Sequence, residues 1–323
     1  MNSQESEINL LFFHGFWLEV GSRLHAYFKK ASRNPKWFVM SVMGRFKLVR
    51  FVAKFLAKRT QIQNYHSEST ASTFKHLDAN PIATTLKRDG LYCGIILPKN
   101  LQQEILEFAQ VTCCYGDREP HLGFLYSKKE QIEKEIDRTF LTAQYFNTSL
   151  LCPAIKYLGS DPKLIEIAAL YLGVKPVYTG SRLWWNFAVK DEKPYDPNKT
   201  ITFFHYDLDD YACLRFFFYL TDVGCHDGPH VCVRSSHINK KPVHVFSPVK
   251  RRTDQDIINY YKYENIVTIC GEAGFGFAED TFCYHKATRP LRSDRLMLQI
   301  QFAIHDYGLH NDLKEPSLLK RII

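Results

Sequence analysis

The sequence predicts a mainly β body with flanking helices, of the sandwich or barrel type. Two observations carry this. From Val177 onward, short apolar or alternating runs succeed one another over 177–189, 200–205, 213–220, 230–234, 266–269, 274–278 and 295–303. Clusters of Gly, Pro and Asp separate them, which is the rhythm of an all-β fold rather than of strand–helix repeats. The stretch before them, 81–175, carries mostly helix signals. With 45% apolar and 14% aromatic residues in 323, the chain has the means to bury a large core, and extensive disorder is excluded.

The elements read as follows. Residues 1–59 are helical and basic. Between Phe46 and Arg59, Lys47, Arg50, Lys54 and Lys58 recur every three or four residues and form one stripe, with Leu48, Val52, Phe55 and Leu56 opposite. Such a helix ordinarily packs its apolar face on the body and leaves the basic face in water. The other outcome is a basic amphipathic helix on an anionic membrane surface, reached through residues 37–59. Residues 60–80, rich in Ser, Thr, Asn and Gln, read as a linker, so that the body spans 81–323. Within it, 90–97 is a strand and 101–111 a helix. Ser127–Glu130 is a capping box opening a helix to about Thr142. Asp161-Pro162 opens another, which Gly173 ends. The segment 237–264 reads as a loop and helix over one mouth of the barrel.

Charge excludes one class of function. Residues 1–60 hold eleven Lys/Arg against three acids, and the remaining 263 carry 31 of each sign. The net charge of +8 therefore belongs to the N-terminal segment, and the body shows no nucleic-acid footprint. Nine cysteines, an odd number without a Cys-x-x-Cys pair, suit free thiols in a reducing compartment. The first charges are acidic, unlike a secretory signal, and the apolar run Trp37–Gly44 is too short to span a bilayer. A cytoplasmic location, peripheral to a membrane if the helix docks there, is the expectation.

His205-Tyr-Asp207 lies at the end of a strand-like run. On extended backbone, positions i and i+2 share a face, so both side chains can reach one metal. His285 follows 78 residues later, also at the end of a strand-like run. Two imidazoles and a carboxylate leave three metal positions open, which suits non-haem Fe(II): two for a bidentate 2-oxoacid and one for O₂. Arg295 opens the last run, where a guanidinium can hold a carboxylate through two parallel bonds, the group needed for the far end of 2-oxoglutarate. A second His-x-Asp pair, His310/Asp312, lies after the last run and has no such partners downstream. Cys225, His226, His230 and Cys232 form a local cluster whose spacing fits no common zinc finger.

The stretches FFHYDLDDYACLRFFFYLTDVGCHDGPHVCVRSSH, GEAGFGFAEDTFCYHKATRP and RLMLQIQFA together resemble the phytanoyl-CoA hydroxylase family of Fe(II)- and 2-oxoglutarate-dependent oxygenases, over roughly 85–305. The motifs map to His205/Asp207, Tyr219–Val223, Gly228-Pro229, Ser236-His237, His285 and Arg295. The resemblance implies a double-stranded β-helix, a jelly-roll or cupin-like barrel with iron and 2-oxoglutarate inside, and hydroxylation of a small-molecule or lipid-like substrate is the expected reaction. Asp207 fills the position that a small residue takes in related halogenating enzymes. Where the family often has a Ser two residues after the distal His, this chain has Ala287, and Thr288 next to it is the expected replacement contact to the co-substrate. Asn186 is expected beside the co-substrate. Trp184 and Arg215 are expected to border the substrate. A catalytically silent binding barrel is the rival reading, and the intact ligand set argues against it.

Overall fold

A computed structural model of the chain describes residues 32, 34–60, 72–189, 200–247, 249–310 and 312–322. The helical expectation for 1–31 lies outside these residues. The helices are α1 (Pro35–Met43), α2 (Lys47–Thr60), α3 (Ala79–Asp89), α4 (Lys99–Val111), α5 (Lys129–Glu135), α6 (Thr148–Leu151), α7 (Pro153–Ser160), α8 (Pro162–Leu172), α9 (Pro242–Phe246) and α10 (Asp254–Tyr261). The strands are β1 (Leu91–Ile96), β2 (Cys114–Gly116), β3 (Gly123–Phe124), β4 (Thr142–Tyr145), β5 (Val177–Asn186), β6 (Cys213–Tyr219), β7 (His230–Val233), β8 (Ile266–Ile269), β9 (Phe275–Glu279), β10 (His285–Ala287) and β11 (Arg295–Ala303).

The strands form two sheets, β1-β9-β6-β11-β5-β4-β2-β3 and β10-β7-β8, with antiparallel pairing throughout. This is the double-stranded β-helix that the resemblance implies. Strand parity explains the solidly apolar run of β6. Leu214, Phe216 and Phe218 join the core under the helices, while Phe217 and Tyr219 join the core between the sheets. A strand buried on both faces has no polar side to show. On β11, Leu296, Leu298, Ile300 and Phe302 pack toward the helices, leaving Arg295, Met297, Gln299 and Gln301 on the inner face.

Local signals explain most ends. Asp161 caps α8 by accepting from the amides of Lys163 and Leu164, and Gly173 closes it at φ 76°. Three expectations change. The capping box at Ser127 makes no side-chain cap; a short 3₁₀ turn leads into α5, which stops at Glu135, and β4 follows. The run 200–205 is not a strand, because only Phe204 and His205 pair, as isolated bridges. The helix α10 lies on the outer face of the smaller sheet, where Ile257 and Tyr261 pack with Val231, Val233 and Tyr284, rather than over a mouth.

The expected linker falls largely on 61–71, outside the described residues. Its remainder, 72–80, packs on the body: Phe74 is fully buried in the main core, and the Ser72 hydroxyl bonds Asp161 at 2.8 Å.

The N-terminal helices also lie on the body, and α2 does so with its basic side. Arg50 pairs with the buried Asp280 at 3.4 Å and stacks over the Phe282 ring at 3.9 Å. Lys54 lies over the Tyr171 ring at 5.4 Å, its pKa lowered by burial. Leu48 is 73% exposed, Phe51 is 67% exposed, and Val52 and Leu56 are exposed beside them. The ordinary arrangement is inverted, because an anion under the helix outweighs the apolar face. Among the described residues, no helix is long and apolar enough to cross a membrane.

Candidate metal centre

His205 and His285 are cross-strand neighbours. Each amide bonds the other's carbonyl, at 3.0 and 2.8 Å, which extends the smaller sheet by one rung and sets the rings side by side, centroids 4.3 Å apart. Asp207 returns to the same face two residues on, its amide held by the Thr281 carbonyl at 2.8 Å. Each imidazole Nδ1 lies against the carbonyl two residues before it: His205 against Phe203 at 3.1 Å, and His285 against Cys283 at 3.0 Å. That bond places the proton on Nδ1 and leaves the Nε2 lone pair free. Both Nε2 atoms face Asp207, each 3.8 Å from a carboxylate oxygen. One donor atom from each residue falls within 4.8 Å of the others. The three residues thus fit a divalent metal, and among the described residues this is the one His/Cys/Asp/Glu cluster that does.

Protonation suits the same role. Burial pushes His285 down to about 3 and lowers His205, so both are neutral ligands. Burial alone would raise the Asp207 carboxyl. The Arg215 guanidinium and the two imidazoles outweigh it and hold the group well below the carboxylate range. Behind His285 lies a buried pair that the sequence did not signal: His230 Nε2 and Glu279 are 2.7 Å apart. Burial raises the Glu279 carboxyl and lowers His230.

Arg295, Asn186 and Trp184 share one end of the cleft. Register puts Arg295 opposite Asn186, and Met297 opposite Trp184. The Arg295 guanidinium, 2% exposed, donates to the Gly228 carbonyl and to Asn186 Oδ1. Asn186 Oδ1 also accepts from Trp184 Nε1 at 2.9 Å. Asn186 therefore orients Arg295. One expected contact falls elsewhere. The Thr288 hydroxyl donates to the Pro229 carbonyl at 2.7 Å, and Ala287 lines the cleft in its place. Arg215 lines the cleft with its guanidinium clamped by Asp207, Asp209 and Gln301. The pair His310/Asp312 lies apart from the triad, with Asp312 accepting from the Thr148 and Ser181 hydroxyls.

Arg118, Gln144, Arg182 and Gln299 also line the cleft, and sequence reasoning missed all four. Arg182 had a signal, since it shares the strand parity of Trp184 and Asn186. Arg118 had none, because it projects from a loop.

No family model and no curated protein matches the chain. Solved structures similar to it include the epimerase SnoN in complex with Fe3+, alpha ketoglutarate and nogalamycin RO, with TM-score 0.46 and 14% identity over 69% of this chain and 82% of that one. EctD from S. alaskensis, with 2-oxoglutarate and 5-hydroxyectoine, gives TM-score 0.45 and 12% identity over 75% and 81%. AviO1 from Streptomyces viridochromogenes Tue57 gives 0.43 and 15% over 72% and 96%.

Proposed function

We propose that the chain is an Fe(II)- and 2-oxoglutarate-dependent oxygenase of the phytanoyl-CoA hydroxylase type, which hydroxylates an unactivated C–H bond of a small molecule. The observation that carries this is the set of two Nε2 lone pairs and one carboxylate, aimed together into a cleft whose far end holds Arg295. When bound, iron and 2-oxoglutarate supply the oxidation: 2-oxoglutarate, O₂ and R–H give succinate, CO₂ and R–OH. His205, Asp207 and His285 would hold the metal from one face and leave the other open. Arg295 offers a fork to the far carboxylate of the co-substrate, with Asn186 fixing its plane. Trp184 and Phe217 wall the cleft and limit water.

Anaerobic titration with Fe(II) and 2-oxoglutarate tests this. A weak visible charge-transfer band should form in the wild type, vanish in His205→Ala and weaken at least tenfold in co-substrate affinity in Arg295→Ala. Bound iron without a band would leave the silent binding barrel as the better reading.

A second reading concerns location. We infer that the outward apolar face of α2 docks on an anionic membrane surface. Val39, Val42 and Met43 on α1 are exposed as well, and Lys47 and Lys58 of α2 itself are exposed beside its apolar face. An apolar stripe fringed by lysines is the pattern of an interfacial helix. Co-sedimentation with phosphatidylserine vesicles should exceed that with phosphatidylcholine, fall with salt, and drop severalfold in Leu48→Ser/Phe51→Ser. Equal sedimentation of the two proteins sinks the idea, and a concentration-dependent dimer lost in the variant would assign the face to a second copy.

A further inference from the structure

We propose that the junction between the metal cleft and the cavity beside it binds an anionic group of the substrate, a carboxylate or a phosphate, through Arg182 and Arg118. This deepens the oxygenase reading and rests on it for the word substrate.

The cavity measures about 410 Å³ and is bordered by β5, β11, the segment after β11, and α1 through Asn34 and Trp37. Arg182 and Gln299 line both this cavity and the smaller metal cleft of about 90 Å³, so the two adjoin. Ser181, Gln299, Gln301, His305 and Tyr307 border it, as do three carboxylates that already have partners: Asp209 pairs with Arg215, Asp306 with His310, and Asp312 accepts from the Thr148 and Ser181 hydroxyls. The N-terminal segment, outside the family likeness, thus closes a cavity that opens on the metal centre.

Two guanidiniums face this junction. Arg182 comes from the inner face of β5, opposite Gln299. Arg118 stands at the rim of the metal cleft, on a loop with two consecutive left-handed residues, Asp117 at φ 49° and Arg118 at φ 67°. Arg138 braces that loop through Asp117 at 2.7 Å and through Glu119 at 2.5 Å. Among the described residues, neither the Arg118 nor the Arg182 guanidinium has a hydrogen bond or an ion pair. Of the other guanidiniums of the cleft, Arg215 is held by two carboxylates and Gln301, and Arg295, which donates to Asn186 and Gly228, stands at the co-substrate end. Burial, and then the charge of Arg215, lower the pKa of Arg182 from the usual arginine range.

Burial and then the charge of Arg182 lower the pKa of Arg118, so holding the two charges together is unfavourable, and the carboxylates of Asp207, Asp209 and Asp312 offset this only in part. Backbone strain at Arg118 adds to the cost. An anion set between them reverses both terms and satisfies two donor forks at once. The co-substrate does not fill this role in the proposed arrangement. Arg295 and Arg182 stand opposite Asn186 and Gln299, four residues apart along the same ladder, or about 13 Å at the usual rise per strand residue. A small diacid chelating the metal and reaching Arg295 leaves the Arg182 end open.

The probes are inorganic phosphate and succinate, titrated calorimetrically into the full chain. The expected result is a site at least tenfold weaker in Arg182→Gln and severalfold weaker in Arg118→Gln. Succinate is also the co-product and can meet Arg295, so for either probe the affinity lost in Arg182→Gln should exceed that lost in Arg295→Gln. The tighter probe names the anion class. Circular dichroism and melting temperature confirm that each variant folds, and Arg182→Gln should not melt lower, since it removes a repulsion. Absence of binding by either probe overturns the proposal. So does binding that is lost in Arg295→Gln and kept in Arg182→Gln, which would assign the anion to the co-substrate end. The charge-transfer band is read in parallel. A band without phosphate or succinate binding sinks only this proposal, and binding without a band sinks only the oxygenase reading.

Discussion

Arg215→Met is expected to destabilise the metal-free protein by about 3 kcal/mol, and excess Mn(II) should recover more of that loss than it adds to the wild type. The guanidinium is 5% exposed and joins Asp207 to Asp209, which are 28% and 41% exposed. Removing one partner from a buried ion pair costs roughly 3–5 kcal/mol, because the remaining charge is left uncompensated. Partial solvation of the two carboxylates places this case at the lower end. Methionine keeps the unbranched stem and removes the charged end, so the loss measures charge more than lost packing. A metal is a second way to neutralise Asp207. With Arg215 present, it enters a site that already holds a positive charge; with methionine, it is the main cation facing the carboxylate. The metal-induced rise in melting temperature should therefore be larger in the variant. An equal or smaller rise would show that Arg215 positions Asp207 for the metal more than it competes with it.

The residues legible in the sequence were those whose geometry is local. His205 and Asp207 share a face because strand parity demands it. Arg295 was recognisable because it opens a long terminal strand at a fixed distance from His285. For Arg215, parity shows only that it points inward. Whether it meets substrate or a carboxylate depends on Asp209, six residues away across a turn that has no regular period. Thr288 was misread for a similar reason: the Gly228-Pro229 turn brings a carbonyl to its hydroxyl, and no signal near Thr288 announces that turn. The buried pair of His230 and Glu279 joins residues 49 positions apart on different sheets. Neither segment shows by itself that its partner arrives.

The helix α2 shows the same limit at larger scale. Amphipathic periodicity identifies two faces but not which one is buried. That choice is made by Asp280, 230 residues further on. Its carboxylate is 1% exposed and accepts from the Tyr171 hydroxyl, the Phe282 amide at 2.9 Å and Arg50 at 3.4 Å. An anion so placed draws Arg50 and Lys54 inward, and the apolar stripe opposite them then faces outward.

Asp280→Ala is therefore expected to cost about 3–5 kcal/mol and to loosen α2 in particular. The magnitude follows from leaving Arg50 without its buried partner, with the Tyr171 hydroxyl losing its acceptor as well. Limited trypsin digestion should cut first at Lys54 or Lys58 in the variant, whereas the wild-type helix resists. Acid should reproduce the effect. Burial alone would raise this carboxyl, but Arg50 and the hydrogen bonds to it prevail and lower its pKa. A group depressed on folding contributes stability above its unfolded value, and that contribution is lost as pH falls through the depressed value, below about 4. Between pH 5 and 3, the wild-type melting temperature should fall more steeply than that of Asp280→Asn, which lacks the titrating group. Parallel slopes would mean that Asp280 does not hold the helix. Protection of Lys54 and Lys58 in the alanine variant would mean that the apolar face is covered from outside, and the orientation of α2 would then be set by whatever covers it.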